Sequence, residues 1–275
     1  MPTGIGHQLR ACGRSNLPAY IRVGGKLYQK VKVFKHDFFA ATTLYESLTE
    51  NANVFLPRQV VLKISRLKDF LGLPLNWLGE LICEHEVSIL RRIRGLKGVP
   101  RLLGRYGRIG LAYEYIPGRS LDERPLLPDD FFDRLDALLR KIHSRNIVYL
   151  DLNKRGNVLI GPDAAPYLID FQISQYIPHR FIGSRRLARF ILQTAQKEDL
   201  YHLRKHNRQL RRDLMDARQL HDSHKKSPWI RWHRLCTRPF TRIRRRLLYL
   251  LDKKGLLITE DTDNHQPETD PNRWR

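Results

Sequence analysis

The sequence predicts an α+β fold arranged as two lobes, a small antiparallel β lobe followed by a reduced, mainly helical one. Three observations lead there. Alternating apolar and polar segments crowd the first 65 positions, helical periodicity dominates after position 74, and a turn-rich stretch at 142–174 sets carboxylates between short apolar runs. At 275 residues, 41% hydrophobic and 28% charged, the chain is globular in composition and long enough for two lobes over a shared core.

The elements follow in order. Residues 1–25 mix Gly, Pro and Arg with little periodicity and read as a loose lead-in. An N-terminal lobe is expected over 26–116. Segment 27–34 (LYQKVKVF) alternates and reads as a strand, 38–45 (FFAATTLY) as its hairpin partner, and 59–65 (QVVLKIS) as a third strand with one lysine among apolar neighbours. Pro74 opens a helical pattern to position 94, with Leu78, Leu81, Ile82, Ile89 and Ile93 at helical spacing. Segment 111–116 (LAYEYI) is a short strand ended by Pro117-Gly118. A helical lobe is expected over 117–225. It opens with a helix at 128–144 that places Phe131, Leu135, Leu138 and Ile142 on one face. Two short apolar runs follow, 158–160 and 167–169, split by the turn Gly161-Pro162-Asp163.

Charge is concentrated. Of the formal net charge of +22, segment 179–254 carries 22 Lys/Arg against 6 Asp/Glu. Such density attracts phosphate-bearing partners, which are anionic lipid head groups, lipopolysaccharide phosphates or RNA. Within 226–255, Ser227-Pro228 is a helix start. Trp229, Trp232, Cys236, Phe240, Ile243, Leu247 and Leu250 then recur at i+3/i+4 among arginines, and Pro239 should kink the run. That pattern fits an interfacial helix on a membrane or a helix packed on the second lobe. Segment 256–275 reads as an acidic, disordered tail. Three scattered cysteines and an N-terminus without a long apolar run exclude a disulfide framework and a signal peptide, so a cytoplasmic protein is expected. The apolar run at 247–251 is too short to span a bilayer.

The stretch 142–174 carries the chemistry. Asp151 ends a β-like run, Asn157 follows shortly after, and Asp170 opens the triplet Asp170-Phe171-Gln172. Transfer of a phosphoryl group to a hydroxyl requires one carboxylate to orient that hydroxyl. It also requires an amide and a second carboxylate to hold magnesium on the nucleotide.

Together with the lysine-bearing strand and the helix after it, this order resembles the protein-kinase-like superfamily over roughly 27–176. The resemblance implies ATP and Mg2+ as cofactors and assigns roles residue by residue. Val60-Val61-Leu62-Lys63 looks like the strand whose lysine contacts the α- and β-phosphates. Glu86 would be its ion-pair partner, with Glu84 the rival. Glu114 and Ile116 would lie in the hinge that binds adenine, Asp151 would orient the acceptor, and Asn157 and Asp170 would hold metal. The chain departs from the pattern in four places. No glycine-rich loop precedes the lysine strand, and Lys35 or His36 would substitute by charge. Tyr149-Leu150 replaces His-Arg, and Asn157 lies six residues after Asp151 rather than five, which leaves Asn153 as a fallback ligand. Gln172 stands in place of Gly, with no Ala-Pro-Glu signature beyond it. These departures resemble the RIO kinases and the bacterial kinases of lipopolysaccharide inner-core sugars (Kdo and heptose). The implied activity is phosphotransfer to a hydroxyl on an anionic, membrane-associated glycolipid, at the inner face of the membrane. A RIO-like or Ser/Thr protein kinase is one alternative, with RNA as a less favoured partner. A pseudokinase or membrane-binding adaptor is the other.

Overall fold

The computed structural model describes residues 11–12, 17–36, 40–49, 56–66, 76–180 and 183–224. The expected helical region 226–255, the tail 256–275 and positions 38–39 of the expected hairpin partner lie outside the described residues.

The N-terminal lobe is a six-stranded antiparallel sheet in the order β1-β2-β3-β4-β6-β5. Its strands are β1 (Tyr20–Val23), β2 (Lys26–His36), β3 (Ala40–Ser47), β4 (Gln59–Ser65), β5 (Leu102–Tyr106) and β6 (Gly110–Glu114). Helix α1 (Asn76–Arg92) lies between β4 and β5 in sequence and packs on both. The strand β1 corrects the reading of 1–25 as a loose lead-in. Ile21 and Val23 are buried, and β1 pairs with β2 through the turn Gly24-Gly25, where both residues take positive φ (56° and 83°). Positive φ at both central positions is what a type I′ hairpin turn, whose twist matches the strands, requires, and glycine supplies it without steric cost.

The second lobe holds α2 (Phe131–His143), α3 (Arg185–Leu210) and α4 (Ala217–His224). Among the described residues it also has two short sheets, β10-β9-β7 (Pro166–Leu168, Val158–Ile160, Arg119–Ser120) and β11-β8 (Gln175–Tyr176, Ile147–Val148). Helix α2 buries Phe131, Phe132, Leu135, Leu138, Leu139 and Ile142, each of which contributes about 1.5–3 kcal/mol of transfer free energy. These join Val87, Ile89 and Leu90 of α1, and Ile93 just past its end, in one cluster, so α1 is seated against the second lobe as well as the sheet. A separate cluster fills the sheet's other face, formed by Ile21, Val23, Tyr28, Tyr45, Val60, Leu62 and Ala112 among others. Between the lobes, Gly98 takes φ +90°, and a Cβ there would stand 2.7 Å from Leu138 and 2.9 Å from the Pro166 carbonyl. Only glycine lets the chain pass this close.

The strands expected at 59–65 and 158–160 have those bounds, and the other expected strands and helices differ by up to three residues at an end, as helix ends and strand termini do. Among the described residues no helix is long and apolar enough to cross a membrane.

Candidate active site

Alternation along β4 sends Val60, Leu62 and Ile64 into the sheet's apolar cluster and Lys63 to the opposite face, towards α1. There the residue is 4% exposed, a position that lysine tolerates only with charged partners. It has two. Lys63 Nζ lies 3.0 and 2.8 Å from the two oxygens of Glu86, and 2.7 Å from Asp170 Oδ1. Burial pulls the ammonium's pKa down, but Glu86 and Asp170 outweigh it and hold Lys63 charged, with its pKa above the ordinary value. Burial also pushes Asp170 up. The Lys63 charge and hydrogen bond, with Lys154 and Lys35 further off, overcome this and hold its carboxyl below the usual range. Glu84 instead points to solvent and meets Arg105 and Arg91. Two residues along a helix turn the side chain about 200°, which separates the rivals.

The loop after β8 brings the second group of residues together. Asp151 Oδ2 accepts from Lys154 Nζ at 2.7 Å and from Asn157 Nδ2 at 2.8 Å, while its Oδ1 has no hydrogen bond among the described residues. The extra residue before Asn157 is absorbed by one 3-10 turn at Arg155–Asn157, and the amide still returns to Asp151. Asn153, the fallback, points away and accepts from Lys205 of α3 at 3.1 Å. Asp170 has φ +60°, a left-handed conformation that a short polar side chain tolerates better than most. Because that turn is made at Asp170, Gln172 does not need positive φ, and a glycine is dispensable there.

Neighbouring contacts fix both segments. Tyr149 is fully buried with its ring edge on Phe171, its hydroxyl donates to the Ile169 carbonyl, and Ser174 Oγ donates to the Tyr149 carbonyl at 3.0 Å. Helix α1 holds the chain beyond Asp170 through His85 Nε2, 2.7 Å from the Ser174 carbonyl, and Arg92, whose guanidinium lies 3.8 Å above the Tyr176 ring. At the end of β6, Glu114 pairs with Arg101 at 3.2 Å, and the Ile116 N–H has no hydrogen bond among the described residues. Phe34 of β2 stacks on Tyr115, with ring centroids 5.9 Å apart.

A protein of known structure has the same architecture. The Rio2 kinase–ADP/Mg2+-phosphoaspartate complex from Chaetomium thermophilum superposes with a TM-score of 0.52 at 16% identity, covering 76% of this chain. The fold is protein-kinase-like. The chain spans 59% of the length of that Rio2 structure. No family model and no curated protein matches the sequence.

In this kinase-like fold Lys63, Glu86, Asp151, Asn157 and Asp170 converge between the lobes, whereas Lys35 sits on exposed β2 and acts on Asp170 only through space. The donors present suit magnesium, since Asp170 Oδ2 and the side-chain carbonyl of Asn157 are hard oxygen ligands left over from the contacts above. Sequence reasoning missed two residues. Lys154 bonds Asp151 and also bears on Asp170, and it is the lysine of the loop Asp151-Leu152-Asn153-Lys154. Asp199, wholly buried on α3, accepts the backbone N–H groups of Tyr149 and Leu150 at 2.8 Å each.

Proposed function

We propose that the chain is an ATP- and Mg2+-dependent phosphotransferase that moves the γ-phosphoryl group to an alcohol. The observation that carries this reading is the buried Lys63, held between Glu86 on α1 and Asp170 on the loop after β10. A lysine held charged in this position is pre-organised to bind phosphate oxygens, and positioning with electrostatic stabilisation supplies most of the catalysis in phosphoryl transfer. Asp170 and Asn157 would hold Mg2+, which neutralises charge on the phosphates. Asp151 would receive the acceptor hydroxyl at Oδ1, the oxygen that Lys154 and Asn157 leave open. As the acceptor oxygen bonds to phosphorus and the bond to ADP breaks, the hydroxyl proton passes to that carboxylate. Ile116 and Glu114 would bind adenine at the end of β6.

The proposed acceptor is a membrane-associated anionic glycolipid, with the enzyme in the cytoplasm at the inner membrane face, and the concentrated positive charge supports it. A RIO-like protein kinase is the second reading, favoured by the structural likeness to Rio2. Radiolabelled ATP incubated with lipid, lipopolysaccharide and protein fractions separates the two by where the label appears. Asp151→Ala should lower turnover at least about 100-fold with the fold intact. Retained turnover would refute the role of Asp151. A thermal shift with nucleotide that magnesium does not alter would favour the pseudokinase or adaptor reading instead.

A further inference from the structure

A second basic feature lies away from the nucleotide residues. Where the chain leaves β11, Ile177 and His179 face the first two turns of α3 across a cleft of about 480 Å3, which Asn146 closes at one end. Arg185 and Arg189 line the opposite wall, and Ile177 and Leu192 make an apolar floor. The two arginines are four residues apart and so share one helix face. Among the described residues neither has a carboxylate partner, and no carboxylate lines the cleft. The first turn of α3 contains no acidic residue, although it begins with Arg185 and Arg186. Cations at the positive end of a helix oppose its dipole, so this arrangement costs stability and is not explained by it.

We propose that this cleft binds a phosphate group carried on an apolar body. Two guanidinium forks on one wall match the geometry of phosphate oxygens, and His179 adds a donor from the other wall. The apolar floor would take the carbon portion of the ligand. The cleft is distinct from the phosphotransfer site. The β8–β11 ladder runs from Val148–Gln175, near the metal-binding loop, to the Ile177 N–H that donates to the Asn146 carbonyl at 2.9 Å beside the cleft. Arg189 and Asp199, which holds the catalytic loop, stand ten residues apart on α3, about 15 Å along its axis. The same phosphate chemistry could come from a lipid head group or from a soluble phosphate.

The test compares full-length protein with the cleft variant Arg185→Gln/Arg189→Gln and with Arg186→Gln/Lys197→Gln, which removes equal charge from another face of the same helix. One probe is inorganic phosphate, followed by NMR at the His179 and Ala188 amides. The other is flotation with phosphatidylcholine vesicles doped with phosphatidic acid. The cleft variant should lose about tenfold or more in affinity for whichever probe binds, and the other variant only a few-fold. Saturable shifts with inorganic phosphate identify a soluble ligand, and cleft-dependent flotation alone identifies a lipid head group. Both support the site. Equal losses in the two variants, or binding of neither probe by the unmodified protein, would overturn it. Magnesium-dependent nucleotide binding should be the same in all three proteins, so the result is read independently of the phosphotransfer reading.

Discussion

The carboxylate of Asp199 holds Leu150 in a left-handed backbone conformation, with Oδ1 accepting the Leu150 N–H at 2.8 Å and the Leu150 φ at +64°. Its other oxygen takes the Tyr149 N–H at 2.8 Å and lies 2.9 Å from His143 Nε2. A left-handed leucine costs about 1–2 kcal/mol, and buried hydrogen bonds to a charged acceptor outweigh that. The path of the chain one residue before Asp151 is therefore set from α3, roughly fifty residues away in sequence.

Removing that acceptor should be expensive. Asp199→Ala leaves the buried Tyr149 amide, the part-buried Leu150 amide and a histidine unsatisfied, with an expected loss of about 3 kcal/mol or more in urea denaturation. Adding Leu150→Gly relieves the strained φ and should recover about 1 kcal/mol of it. A single Asp199→Ala loss below about 1 kcal/mol would show that the loop leading to Asp151 holds its own conformation.

The two glutamates of α1 predict opposite outcomes. Glu86→Gln leaves the buried Lys63 with Asp170 as its one carboxylate among the described residues, so a loss of about 2–4 kcal/mol in stability is expected, with weakened nucleotide binding. Glu84→Gln breaks an exposed pair with Arg105 and should cost under about 1 kcal/mol. Comparable losses in the two variants would argue against Lys63–Glu86 as the buried pair that matters.

Much of this architecture was legible because it is encoded locally. The Lys63 strand is a short apolar run broken by one lysine, the α1 and α2 faces repeat at helical spacing, and Asp151, Asn157 and Asp170 punctuate short apolar runs. What stayed hidden depends on distant partners. Asp199 reads in sequence as one polar residue in a basic helix, and only the packing of α3 under β8 gives it two backbone amides to accept. Strand β1 was missed for another reason. Its hairpin signal, Gly24-Gly25, is present, but a four-residue strand is too short to show alternation. Gln172 looked like a defect because the left-handed residue was expected within the glycine position, whereas the chain turns at Asp170.

The Phe34–Tyr115 stack makes a prediction for the proposed nucleotide site. Phe34 is 44% exposed, yet its ring lies 19° from parallel to Tyr115, beside the Glu114 and Ile116 backbone. If adenine binds at that backbone, Phe34→Ala removes an aromatic wall worth about 1 kcal/mol, raising KM for ATP about fivefold with kcat little changed. An unchanged KM would place the adenine elsewhere.

His206 predicts a pH dependence of stability. It is 1% exposed, its Nε2 lies 2.6 Å from the Leu152 carbonyl, and its Nδ1 has no hydrogen-bond partner among the described residues. As the neutral ring it donates to that carbonyl; protonation would put a charge at a buried nitrogen with no acceptor. Burial accordingly pushes its pKa down from 6.5 to about 4, with Lys205 and Arg155 adding to the shift against the raising effect of the Leu152 bond. The unfolded chain thus binds a proton that the folded chain refuses between those values, and stability must fall as pH drops through that window. The contribution is complete above pH 6.5, and up to about 3 kcal/mol is lost by pH 4. Urea denaturation of the unmodified protein and His206→Gln, which keeps a donor for Leu152 but does not titrate, measures it. The variant should show the shallower loss between pH 7 and pH 4.5, and parallel curves would mean that His206 takes up its proton over the same pH range in the folded protein as in the unfolded chain.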